Sequence, residues 1–232
     1  MKRKRGLVIT MDGPAGSGKS TAARALARKL GFLYLDTGAM YRAVALKALQ
    51  KKVSLTDKPA LSRLADRARI AFRRGRAGKI KVFLNGSDVT RAIRRPEVSD
   101  AASRIAVVPG VRRALVRRQR RIGKDGRVVA EGRDTGTVVF PRASPKFFIT
   151  ASLPERARRR WEELKTSGHR VSRAQVFREA RRRDLRDKGR KVAPLRPAPG
   201  AIRIDNTGLQ SGRTLAILMD YVQRAKTDDP SH

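Results

Sequence analysis

Leu7-Val8-Ile9-Thr10-Met11-Asp12, followed at once by Gly13-Pro14-Ala15-Gly16-Ser17-Gly18-Lys19-Ser20, is the stretch that decides the fold. Leu7–Met11 has the short apolar run of a buried strand. The eight residues after Asp12 fit the phosphate-loop pattern G-x-x-x-x-G-K-[ST] completely. Lys19–Leu30 then reads as a helix stopped by Gly31, a favoured residue just past a helix end. Glycines let backbone N–H groups turn inward around phosphate oxygens, and the helix N-terminus adds favourable partial charge. Lys19 is placed to reach the β- and γ-phosphates of ATP, and the Ser20 hydroxyl to ligate Mg²⁺.

Outward from this loop, buried-strand candidates alternate with amphipathic helices. The strands are Leu7–Met11, Phe32–Leu35, Arg127–Ala130, Lys146–Thr150 and Ala201–Ile204, with Ala39–Gln50 a second helix. The expected fold class is α/β, a P-loop NTPase fold with a parallel sheet flanked by helices. The rhythm breaks from about residue 56 to residue 122. There a helix Asp57–Arg73, then Gly75 and Gly78, a strand Lys79–Leu84 and a turn at Asn85-Gly86 are expected. Further helices open near Pro96 and Pro109. Ser152-Leu153-Pro154-Glu155 and Ser172-Arg173-Ala174-Gln175 are capping-box starts for two later helices, the second stopping near Gly189. Lys191–Gly200 reads as irregular.

Composition narrows the function. The 232 residues contain no cysteine, which excludes disulfides, thiolate metal sites and thiol nucleophiles. No apolar run is long enough to span a membrane, and the stretch after Met1-Lys2-Arg3-Lys4-Arg5 is too short for a leader, so a cytoplasmic protein is expected. The guanine-reading motif Asn-Lys-x-Asp is impossible, because the only asparagines, Asn85 and Asn206, precede Gly86 and Thr207. No apolar run ends in Asp-Glu as in helicase-type ATPases. Small-molecule kinases remain ahead. The net charge of +36 far exceeds what one nucleotide site needs. Arginine bias on solvated helix faces accounts for it, or accessory binding to nucleic acid does.

Three segments bear on the acceptor. Leu35-Asp36-Thr37-Gly38-Ala39-Met40-Tyr41-Arg42 follows the second strand, where ligands of open α/β sheets sit; it also reads as an ordinary helix cap with a core tyrosine. Glu131-Gly132-Arg133-Asp134-Thr135-Gly136 follows the third strand and offers an Arg fork and a carboxylate, or simply a local ion pair. Arg183 and Asp187 share a helix face, and Arg190 follows at i+7. Such cations suit a transferring phosphoryl group.

Gly13–Thr21, Leu35–Arg42, Glu131–Pro141 and Arg190-Lys191-Val192-Ala193-Pro194-Leu195 together resemble the bacterial cytidylate kinases. Asn85–Thr90 and Ile93–Ser99 match the same family's insertion, so the resemblance runs nearly end to end. It implies a core (1–55, 123–165 and 200–226), a monophosphate-binding insertion at about 56–122 and a short lid at about 166–199. It implies ATP and Mg²⁺ as cofactors, CMP or dCMP as acceptor, and a monomer. Gly13, Pro14, Ala15, Gly16, Ser17, Gly18, Lys19, Ser20 and Thr21 would hold ATP. Thr37, Tyr41, Arg42 and Arg133 would hold CMP and its phosphate, while Ser103, Arg112 and Asp134 would face the cytosine. Asp187 with Arg183 would reach the sugar and arrange the lid. Lys19, Arg133, Arg183 and Arg190 would act on the transferring phosphoryl. The chain departs from the family pattern at Arg142, where an acid is common, and at Lys188-Gly189, where polar side chains are usual. Rival readings are a UMP kinase, a nucleic-acid-associated ATPase or RNA-binding protein, and an ATP-binding scaffold.

Overall fold

A strand with no polar face belongs in the middle of a sheet, and β1 (Val8–Asp12) lies there, buried from Ile9 onward. The computed structural model describes residues 6–75 and 80–227; expectations on Met1–Arg5, Gly78 and Lys79 lie outside the described residues. The five-stranded sheet runs β2 (Leu33–Asp36), β6 (Val128–Gly132), β1, β7 (Lys146–Thr150), β8 (Ile202–Asp205). β1 pairs in parallel with β6, Asp12 lying opposite Gly132, and with β7; β7 pairs in parallel with β8, Thr150 opposite Asp205. Parallel pairing in that register collects the C-terminal ends of these strands on one edge. Every loop leaving that edge is therefore a candidate for ligand contact.

The chain forms two compact units, one of residues up to Leu35 and from Ile122 onward, the other Asp36–Arg121. In the first, α1 (Lys19–Leu30) packs on β1, β6 and α8 (Ser211–Thr227). Its inner face is Ala22, Ala23, Leu26 and Ala27, all buried, against a sheet interior that includes Ile9, Met11, Val129 and Ile149. Gly31 closes α1 in the left-handed conformation, its N–H reaching Arg28 O. α6 (Leu153–Thr166) and α7 (Arg173–Gly189) pack on each other, with Ser152 and Ser172 accepting from Glu155 N and Gln175 N as N-caps. α7 buries only Val176 and Asp187, so ion pairs rather than apolar contacts fasten it.

In the second unit α2 (Thr37–Gln50), capped by Asp36, packs on α3 (Lys58–Arg67) and α4 (Pro96–Ile105). α5 (Pro109–Ile122) lies beside α3, Arg118 bonding the carbonyls of Ala65 and Asp66 at 2.7 and 2.6 Å. β3 (Ile70–Arg74), β4 (Ile80–Leu84) and β5 (Ser87–Asp88) form an antiparallel sheet, Asn85 and Gly86 turning the chain between the last two. The helix expected over Asp57–Arg73 is corrected here. It ends at Arg67, where Ala68 turns extended, and Ile70–Arg74 joins the sheet opposite Ile80–Leu84. Tertiary pairing overrides the helical spacing of the apolar residues.

Candidate functional site

The phosphate loop starts where β1 stops. At Gly13 (φ 152°) a Cβ would run into the carbonyl of Ile149, and at Gly18 (φ 85°) into the amide of Asn206, so both positions require glycine. α1 opens at Lys19 with no acidic residue of its own in its first turn. Lys19 is buried, and its ammonium donates to Pro14 O at 2.9 Å across the mouth of the loop. Ser20 donates to Glu131 Oε1 at 2.9 Å, which joins the loop to the buried carboxylate of the neighbouring strand. Two further groups brace the loop from below. Asn206, in the turn after β8, donates to Ser17 O and accepts from the Thr214 hydroxyl at 2.6 Å. Arg156 of α6 donates to Ala15 O and makes a bidentate pair with Asp184 of α7 at 3.1 and 2.6 Å.

Beside the loop, Asp12 holds the segment after β6. Its carboxylate accepts from Thr135 N, the Thr135 hydroxyl and Gly136 N, each at 2.8 Å, at the start of a π-type turn over Thr135–Val139. Arg133 and Asp134 sit just ahead of that anchor. Burial pushes the Asp12 carboxyl up to about 6, with Asp134 adding to it, against the lowering effect of the amides of Gly136 and Thr135. The folded protein therefore binds a proton that the unfolded chain, with its carboxyl near 4, releases. Stability contributed by this group is full below about pH 4 and lost as pH rises to about 6, on the order of 2–3 kcal/mol. Asp12→Asn removes the titration. Urea unfolding between pH 4 and 7 is expected to lose that falling limb in the variant; an unchanged limb would assign it to another group.

Four of the expected residues converge within the first unit. Arg133 Nε donates to Asp187 Oδ2 at 2.9 Å, with both side chains largely buried. Burial pushes the Asp187 carboxyl upward, but Arg133, Arg183 and Arg190 together outweigh it and hold the group below its usual range. Arg190 follows the last residue of α7, and its Nε donates to Ala193 O at 2.6 Å. Leu195 N reaches back to Asp187 O, closing the helix end. Three guanidinium groups thus act electrostatically on one carboxylate, which orients Arg133 through a charge-assisted hydrogen bond before an anionic ligand arrives.

The second unit holds Thr37, Tyr41, Arg42, Ser103 and Arg112. Asp36 accepts from Ala39 N at 2.7 Å and pairs with Arg42 at 2.8 Å, fixing Thr37 as the buried first residue of α2. The Arg112 guanidinium lies 5.9 Å from the Tyr41 ring centroid and donates to Ala106 O at 3.4 Å. Ser103 is buried on α4, and its hydroxyl has no hydrogen-bond partner among the described residues. A buried orphan hydroxyl costs free energy unless a ligand answers it.

Asp12, Glu131, Arg156, Arg159 and Asn206 were not singled out by the sequence. Asp12 and Glu131 had a usable signal, since each is an acid inside an otherwise apolar strand. Nothing marks Arg156 or Arg159 among the arginines of α6; Arg159 pairs with Glu155 and donates to Asn206 O.

Comparison with known proteins completes this picture. The family model described as "Cytidylate kinase" matches residues 9–224. A cytidylate kinase from Solibacter usitatus (strain Ellin6076) is 48% identical over 229 residues, covering 98% of this chain and 96% of that protein. One from Carboxydothermus hydrogenoformans is 49% identical over 216 residues (93% and 97%), and one from Pasteurella multocida 45% over 218 residues (94% and 96%). Among solved structures, a shikimate kinase from Bacteroides thetaiotaomicron overlays with a TM-score of 0.49 at 14% identity, covering 94% of this chain and 98% of that one.

Proposed function

The chain belongs to the cytidylate kinase family, and from that premise we propose that it transfers the γ-phosphoryl group of ATP to CMP or dCMP by direct in-line attack. The observation that carries this reading is the phosphate loop, with Lys19 at its mouth and Ser20 on the Glu131 carboxylate. Gly13–Thr21 would wrap the donor phosphates. Lys19 would leave Pro14 O for the β- and γ-phosphate oxygens, exchanging a neutral acceptor for a charged one. An acceptor phosphate is already anionic, so no side chain need remove a proton from it and no phosphoenzyme is required. The protein's task is to orient and to neutralise charge. Arg133, Arg183 and Arg190, held by Asp187, would meet the negative charge of the transferring group.

An all-oxygen environment of one hydroxyl and one carboxylate, Ser20 and Glu131, fits Mg²⁺. When bound, the ion would shield the donor phosphate charges. No cluster of three or more His, Cys, Asp or Glu suited to a metal occurs among the described residues, so the ion would travel with the nucleotide. By the family resemblance, the residues that would serve the acceptor are Thr37, Tyr41, Arg42, Ser103 and Arg112 in the second unit and, taken separately, Arg133, Asp134, Arg183, Asp187 and Arg190 in the first. In the second unit buried Ser103 would offer its hydroxyl to the edge of a base, and in the first unit buried Asp134 would offer a carboxylate to an amino group. A pocket built to hydrogen-bond the amino group discriminates strongly against uracil. No helix among the described residues is long and apolar enough to cross a membrane. We place the reaction in cytoplasmic pyrimidine nucleotide metabolism.

The test is ADP release with ATP and Mg²⁺ across CMP, dCMP, UMP, AMP and GMP. Turnover should be strong with the first two only; ATP hydrolysis indifferent to CMP would refute the assignment. Ser103→Ala separates binding from folding. Its hydroxyl has no hydrogen-bond partner among the described residues, so stability should hold within about 0.5 kcal/mol or rise. KM for CMP should climb about tenfold, from a hydrogen bond worth about 1.4 kcal/mol, with KM for ATP unchanged. A loss of stability with no change in KM would make Ser103 a packing residue instead.

A further inference from the structure

Positive charge is not spread evenly over the molecule. In residues 36–121 basic side chains outnumber acidic ones by about four to one, and α5 alone carries six arginines and no acid. Two of the six are not exposed. Arg112 is buried beside Tyr41, and Arg118 is bonded to the carbonyls that end α3. Arg113, Arg117, Arg120 and Arg121 are exposed, at i, i+4, i+7 and i+8, and so form one stripe. α3 lies alongside, Gly110 packing on Ser62 and Arg117 pairing with Asp66 at 2.8 Å. It adds exposed Arg63 and Arg67, and Asp66 is the one carboxylate in the two helices.

A solvated helix face stays soluble with mixed charges, whereas a single-sign row repels itself. The proton affinity of Arg118 records that field: burial lowers it first, Arg117 and Arg121 lower it further, and Asp66 opposes them. A CMP or ATP site has no use for six outward arginines on a helix ridge. We propose that the α3–α5 ridge binds the phosphodiester backbone of double-stranded nucleic acid, without reading its base sequence. Guanidinium forks match phosphate oxygens, and each four-residue step along α5 advances about 6 Å, close to the spacing of successive phosphates on a strand. None of the exposed large hydrophobic side chains lies on α3 or α5. The ridge therefore lacks the aromatic platforms that hold single strands and the apolar wedge that holds a membrane surface. Backbone contact alone fits what is there.

The test measures anisotropy of a labelled 20-base-pair duplex between 50 and 300 mM KCl, without nucleotide, so it stands apart from the kinase assay. For the native chain, log K should fall linearly with log salt. In the R113Q/R117Q/R120Q/R121Q variant the slope should be shallower by about 3–4, with affinity at 100 mM at least tenfold weaker. The R113Q/R117Q variant should lose about half as much slope, and covers the case in which four changes impair folding. Turnover of CMP should be native in both. R24Q/R28Q/K29Q, which removes three exposed charges from α1, should leave the slope within about one. Equal loss in the α1 variant would mean diffuse attraction and overturn the proposal. So would absence of duplex binding at 50 mM, or α5-dependent binding to phosphatidylglycerol vesicles in place of the duplex.

Discussion

Lys19→Ala is expected to lower kcat by about a thousandfold or more while leaving the protein folded. The side chain is buried and its ammonium meets Pro14 O. Removing it leaves one carbonyl short of a donor, at about 1 kcal/mol, which in a chain of this size moves the melting temperature by roughly 2–4 °C. Its contribution to turnover is of another order, because its ammonium sits at the loop that would hold the β- and γ-phosphates. The loss should fall mainly on kcat, since charge on the β- and γ-oxygens shifts during transfer. Steady-state kinetics beside a thermal melt decide it. Turnover near the native rate would remove Lys19 from the reaction and with it the functional assignment.

Arg133→Ala should cost nearly as much, by a different route. Arg133 is the side chain bonded to Asp187 through Nε, and it is the strongest of the three arginines that keep that buried carboxylate ionised. With Arg183 and Arg190 still opposing the burial of Asp187, destabilisation should stay within about 1–3 kcal/mol. The kcat/KM for CMP should fall by about 10³, from lost charge and lost orientation of the cluster. Arg133→Lys keeps the charge but loses the planar fork. It should restore most of the stability and little of the rate. If lysine restored both, the geometry of the guanidinium would have no part in transfer and Arg133 would be a structural counter-ion.

The two variants also mark how far the sequence could be read. Lys19–Leu30 and Lys146–Thr150 are bounded in the structure as the sequence predicts, because the glycine stop and the buried strand pattern are local signals. The helix over Asp57–Arg73 overran for a non-local reason. Arg118 closes it by bonding Ala65 O and Asp66 O, and β4 captures the next five residues. Within the site, Lys19 and Ser20 are legible from spacing alone, and Arg183 and Asp187 share a face by spacing. Their meeting with Arg133, more than forty residues earlier in the chain, is a matter of topology. Arg156 shows the limit most plainly. Its bidentate pair with Asp184 braces the phosphate loop, yet in a chain with 56 lysines and arginines nothing distinguishes it beforehand. Asp12 was visible only as the polar end of an apolar run, and its three donors come from residues 123 and 124 positions away.

One consequence follows from how α7 is fastened. Only two of its seventeen residues are buried, and one of those is Asp187. Heat capacity rises when apolar surface meets water, so detaching this helix should change it very little. The equilibrium between docked and undocked α7 should then follow a nearly straight van't Hoff line, without the curvature that governs unfolding of the sheet. Added electrolyte should shift it as well, by screening the charges that undocking exposes to water.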